Sequence, residues 1–109
     1  MVSAAACTKI ILALPDVTAA QHFDRTAFKT NKRIFATMAA DGLSLNVKLT
    51  KVDQSVFCAF DDTVIFPVPN KWGLQGWTTV NLQKVQPSTL RDVLEVAFTT
   101  MKNYKPGKL

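Results

Sequence analysis

A chain of 109 residues with 48 % hydrophobic content, seven Phe and two Trp has enough apolar surface for one core and no room for a second, which excludes disorder and a two-domain arrangement. Thirteen Lys and Arg against eight Asp and Glu give a net charge of +5, a bias toward polyanionic partners. No stretch approaches the roughly 18 apolar residues of a membrane span, and the start has neither a cationic region nor an unbroken apolar run, since Pro15 interrupts Ile10 to Leu14; a cytoplasmic, monomeric protein without a secretory leader is expected.

Cys7, Ile10, Ile11 and Leu14 at i, i+3, i+4, i+7 predict an amphipathic helix over residues 3–14, ended by Pro15 and Asp16. Short β-branched and aromatic runs follow, separated by the turn signals Asp24-Arg25, Asn31-Lys32 and Asp41-Gly42. Strands are expected near 19–23, 26–30, 33–39 and 43–49, paired as an antiparallel meander. In the last, Leu43, Leu45, Val47 and Leu49 alternate with Ser44, Asn46 and Lys48, so that one face is buried and one is wet.

Thr50 and Asp53 suit the start of a second helix, with Val52, Val56, Ala59 and Phe60 as its apolar stripe and Asp61-Asp62 as its close. Val64 to Phe66 reads as a short strand that Pro67 and Pro69 confine to a sheet edge. Residues 69–76 read as a loop that Gly73 and Gly76 make mobile, leading into a strand over 77–82. Pro87-Ser88-Thr89 opens the last helix; Leu90, Val93, Leu94, Ala97, Met101 and Tyr104 hold helical spacing until Pro106-Gly107. The expected fold is α+β, one domain over residues 1–109, in the order α-β4-α-β2-α.

This order carries a resemblance. Leu12-Ala13-Leu14-Pro15, Phe28-Lys29-Thr30 beside Arg33-Ile34-Phe35-Ala36, Leu43 to Lys48, and Gly73 to Trp77 with Thr79-Val80 together resemble the MmcQ/YjbR-like family over nearly the whole chain. The resemblance implies a small bacterial protein with a frataxin-like α+β fold and a double-wing DNA-binding role. The chain departs from many relatives at Thr18-Ala19-Ala20, where they carry acidic or Pro-rich residues, and in the loop after Pro69.

Little in the chain suggests catalysis. Cys7 and Cys58 have neither CxxC spacing nor a nearby His, and both read as buried small hydrophobes. His22, the one imidazole, lacks a nucleophile motif and reads as a structural or surface residue. The carboxylates are scattered, with no metal-ligand spacing and no acidic ridge, so neither cofactor nor metal is expected. The cations are more informative by position. Lys29, Lys32 and Arg33 flank one hairpin turn, Lys48 lies on the wet face of a strand and Lys71 adjoins Trp72; these six residues are the expected DNA contacts, five for phosphates and Trp72 for stacking. The alternative is a small-ligand or protein site on the open sheet around Asn46, Lys48, Trp72, Trp77 and Thr79. Trp77 is expected in the core and Trp72 partly exposed. Lys102, Lys105 and Lys108 form a basic end that either attracts phosphates or solubilises the terminus.

Overall fold

The computed structural model describes residues 1–105. Ten elements follow one another: α1 (Ala4–Leu12), β1 (Thr18–His22), β2 (Arg25–Thr30), β3 (Arg33–Met38), β4 (Ser44–Lys48), α2 (Lys51–Cys58), β5 (Ile65–Pro67), α3 (Lys71–Leu74), β6 (Trp77–Asn81) and α4 (Pro87–Lys102). The six strands form one antiparallel sheet in the order β1-β2-β3-β4-β6-β5. The α+β expectation and the meander through the first four strands hold.

Alternation decides which face is buried. Leu45, Val47 and Leu49 on β4 and its exit pack with Val80, Leu82 and Ile65 from the neighbouring strands, and with Phe28, Phe35 and Ala36. Cys7 and Ile11 of α1 and Leu90, Val93, Leu94, Ala97 and Phe98 of α4 cover them in a single core. Phe35 meets Phe98 edge to face at 5.9 Å between ring centroids, the arrangement that aromatic quadrupoles favour. The opposite face carries Asn46, Lys48, Trp77 and Thr79, and Thr79 donates to Asn46 Oδ1 at 2.8 Å across the β4–β6 pair.

Several expectations need correction. The Val52, Val56 and Phe60 stripe of α2 faces solvent, at 73 %, 54 % and 76 % exposure, and Ala59 is exposed as well. The helix instead buries Gln54, whose amide donates to Gly73 O, Trp77 O and Thr78 Oγ1 at 3.0–3.2 Å, with Phe57 and Cys58 half-buried beside it. A buried polar group with every donor satisfied can anchor a helix as an apolar stripe does, and apolar periodicity overlooks it. Thr50 does cap α2, accepting from Asp53 N at 3.1 Å. That helix ends at Cys58, so Asp61 does not close it. Asp61 accepts from the backbone and hydroxyl of Thr63, which hold its carboxyl below the ordinary aspartate value.

Leu43 lies before β4 and is exposed, and the first hairpin turns at Phe23-Asp24, not Asp24-Arg25. Residues expected to form a loop contain the one-turn helix α3, capped by Asn70. Its glycines serve close packing and not mobility: a Cβ at Gly73 would lie 2.0 Å from Val68 O, and one at Gly76 1.9 Å from Leu49 O, with Gly76 at φ +103°. Cys7 is buried, its thiol pushed up to about 12 by burial, whereas Cys58 is only half-buried. The last helix ends at Lys102, leaving Tyr104 beyond it; the stop at Pro106-Gly107 and Lys108 lie outside the described residues.

The two helix faces make opposite predictions. Leu94→Ala leaves a cavity against the sheet and is expected to cost about 2–5 kcal/mol in denaturant unfolding. Val56→Ala on the exposed side of α2 should change stability by less than about 0.5 kcal/mol; a larger loss there would place α2 with the wrong face outward.

Candidate functional site

A local break in pairing creates a cleft. The β3–β4 ladder is confined to Ala36, Thr37 and Met38 against Val47, Asn46 and Leu45, while β4 continues to pair with β6 as far as Lys48 and Trp77. Just before this point the β2–β3 register shifts between Phe28 and Lys29, the signature of a bulge. The start of β3 therefore swings away from the end of β4, and a cleft of about 680 Å³ opens between them. Lys29, Lys32, Arg33 and Ile34 form one bank; Lys48, Leu49, Thr50 and Trp77 form the other; Thr100, Met101 and Tyr104 close the end.

The hairpin bank is held by its turn. Asn31 and Lys32 sit at φ +53° and +61°, the doubly left-handed turn that joins twisted strands with two residues. Asparagine tolerates this conformation better than most residues, and here its side chain reaches the C-terminal end of α4. Its Nδ2 donates toward Tyr104 O at 2.9 Å, Met101 O at 3.1 Å and Lys102 O at 3.4 Å. These include carbonyls that a helix end leaves unpaired. Arg33 places its guanidinium 4.7 Å from the centroid of the Tyr104 ring.

The opposite bank is fixed through Gly76. Leu49 N donates to Gly76 O at 3.1 Å, an approach that only a residue without a Cβ allows. The Lys48 ammonium donates to Gln75 O in the same turn. Burial lowers the Lys48 pKa, because the charged form loses solvation that one carbonyl does not replace. Among the described residues, none that lines the cleft is acidic, so four cations share it without a local counter-charge. Its floor is apolar, with Leu49 fully buried and Ile34 and Met101 half-buried.

The structure thus brings together Lys29, Lys32, Arg33 and Lys48, together with Trp77, but not the remaining expected contacts. Lys71 and Trp72 lie on α3 outside the cleft, with Trp72 half-exposed. Asn46 and Thr79 bond to each other farther along the open face. Trp77 is a half-buried cleft wall and not a core residue. Asn31, Thr100, Met101 and Tyr104 are not among the expected site residues: the sequence places Asn31 in a turn and Met101 and Tyr104 on the last helix's stripe, and no local pattern reveals the partner of Asn31 seventy positions away. His22 is exposed at the end of β1, paired with Arg25 across the hairpin and edge to face with Phe23 at 4.9 Å. Lys102 and Lys105 are exposed. The described residues hold no group of three or more His, Cys, Asp or Glu placed to bind a metal, and none of their helices is long and apolar enough to cross a membrane.

The fold and cleft define a small α+β domain with a single helical layer, an open sheet face and a cationic groove where two strands part. The chain belongs to the YjbR family, whose model matches residues 12–100. Its fold is similar to the crystal structure of the Deinococcus radiodurans protein DR2400, a DUF419 domain, with a TM-score of 0.78 and 21 % identity over 97 % of this chain and 84 % of that one. No curated protein sequence matches the chain.

The lowered Lys48 pKa has a direct readout. A depressed pKa leaves more neutral amine at a given pH, so the pH profile of Lys48 acylation, followed by mass spectrometry, should have its midpoint below the ordinary lysine value of about 10.4. A midpoint at or above that value would mean that Lys48 is solvated and stands clear of the cleft.

Proposed function

We propose that this protein is a non-catalytic nucleic-acid-binding module, with DNA as its ligand, that grips phosphates through Lys29, Lys32, Arg33 and Lys48. The observation that carries this reading is the convergence of four cations on one groove that, among the described residues, no acidic side chain lines. Unpaired cations held this close repel one another, and a phosphate oxygen relieves that repulsion while accepting charge-assisted hydrogen bonds. Membership of a family with a double-wing DNA-binding label agrees with it. Lys71 and Trp72 are peripheral in this account, able to meet a strand only where it leaves the groove.

A second reading has its own support. The volume of about 680 Å³ and the apolar floor of Ile34, Leu49 and Met101 are also those of a pocket for one small anionic molecule. The two readings differ in salt dependence and in ligand size.

Fluorescence anisotropy with labelled DNA at two salt concentrations separates them. Four phosphate contacts predict a log-log slope of roughly −3 to −4, from about −0.9 per neutralised phosphate on duplex and about −0.7 on single strands. The double reversal Lys32→Glu and Arg33→Glu should weaken binding to all sequences alike and flatten the slope by about 2, because phosphate contacts position without reading bases. Lys71→Glu should have a much smaller effect. Absence of binding to single- or double-stranded DNA even at low salt would contradict the proposal and leave the small-anion pocket.

A further inference from the structure

We infer that the cleft receives an unstacked nucleotide, with its base against Trp77 and Tyr104 and its phosphate on the surrounding cations, so that the preferred ligand is a single strand and not a duplex. The inference rests on the nucleic-acid reading above and narrows it to a substrate class.

Shape carries the first step. The grooves of a duplex are read by convex elements, a helix or a β-ribbon that projects into them. The cationic site is concave, and at its floor the half-buried Ile34 and Met101, above the buried Leu49, offer only apolar surface. A phosphate backbone gains nothing from such a floor, whereas the face of a nucleobase does. Bases in a duplex are covered above and below by their neighbours, so a base can enter a cleft only after leaving the stack. A single strand has already met that cost.

The walls carry the second step. Trp77, half-buried on β6, and Tyr104, beyond the end of α4, are the aromatic residues that line the cleft. The Arg33 guanidinium carbon lies over the Tyr104 ring, 4.7 Å from its centroid, so a phosphate-binding cation stands directly beside an aromatic wall. Lys29, Lys32 and Lys48 line the same cleft of about 680 Å³ as these rings. A cationic groove with aromatic walls is the combination with which proteins hold single strands without reading sequence. Trp72, by contrast, is exposed outside the cleft and has no part in this stacking.

The test uses a Trp72→Phe background, so that intrinsic fluorescence reports Trp77 alone. Three probes are titrated at one salt concentration: a single-stranded oligonucleotide of about 12 residues, the duplex of the same sequence, and a mononucleotide. The single strand should quench Trp77 and bind roughly tenfold or more tightly than the duplex. Trp77→Leu should weaken single-strand binding by about 5- to 150-fold, the range for one stacked base, with Trp77→Phe recovering most of it. Because Trp77→Leu also alters packing on β6, Tyr104→Ala at an exposed position beyond α4 supplies an independent reading and should also weaken the single strand more than the duplex. Equal or tighter duplex binding, indifferent to Trp77 and Tyr104 but sensitive to Lys32 and Arg33, would overturn the inference while leaving the phosphate contacts standing. A mononucleotide that binds as tightly as the oligonucleotide would overturn it in favour of a free nucleotide. Failure of all three probes at low salt would remove the nucleic-acid reading itself.

Discussion

The arrangement depends on one side-chain amide. The last turn of α4 presents carbonyl oxygens that the helix cannot satisfy, and Asn31, at the tip of the β2–β3 hairpin, donates toward three carbonyls at that end. This ties the tip of the hairpin to the end of a helix seventy residues away in sequence, beyond the Phe35–Phe98 contact in the core. It also sets the adjacent Lys32 and Arg33 near the negative end of the helix dipole, which offsets part of the repulsion between neighbouring cations. Phe35, packed edge to face on Phe98, holds the body of the hairpin in the core, and the Asn31 attachment fixes its tip and with it the bank that carries Lys32 and Arg33.

Given the attachment, the cleft follows from strand geometry. The bulge beside Lys29 turns the start of β3 away, and the chain leaves β4 at Thr50 to begin α2. No cross-strand pair between the start of β3 and the end of β4 fills the gap, and the side chains at its edges come from five elements, β2, β3, β4, β6 and α4, and the segments that join them. Their charges are uniform in sign, and the environment of Lys48 already disfavours its charged form through burial. A bound anion would restore part of the stabilisation that Lys48 loses on leaving water.

The parts legible in the sequence are those where local pattern and tertiary role coincide. Leu45, Val47 and Leu49 alternate because β4 has one buried face, and the α4 stripe repeats because that helix lies flat on the sheet. The turn at Asn31-Lys32 is visible because few other residues accept its backbone conformation. The face of α2 was misread for a physical reason: the helix is seated by Gln54 through hydrogen bonds to Gly73, Trp77 and Thr78, while three apolar side chains point outward. Likewise α3 has four residues, too few for any periodicity. The cations of the site were visible as residues, but their gathering was not, since it requires the strand register, the bulge and the end of α4. Lys71 and Trp72 were drawn in by sequence proximity to Trp77, from which the packing of Gly73 and Gly76 separates them.

The account places the binding surface where β3 parts from β4, and chemical-shift mapping tests that placement most directly. In a titration of the isotope-labelled protein with a single-stranded oligonucleotide, the amides of Lys29, Lys32 to Ile34 and Lys48 to Thr50 and the indole of Trp77 should shift together, while α1 and the exposed side of α2 remain unchanged. Shifts confined to α3 around Lys71 and Trp72, or to the Val52, Val56 and Phe60 face of α2, would contradict it.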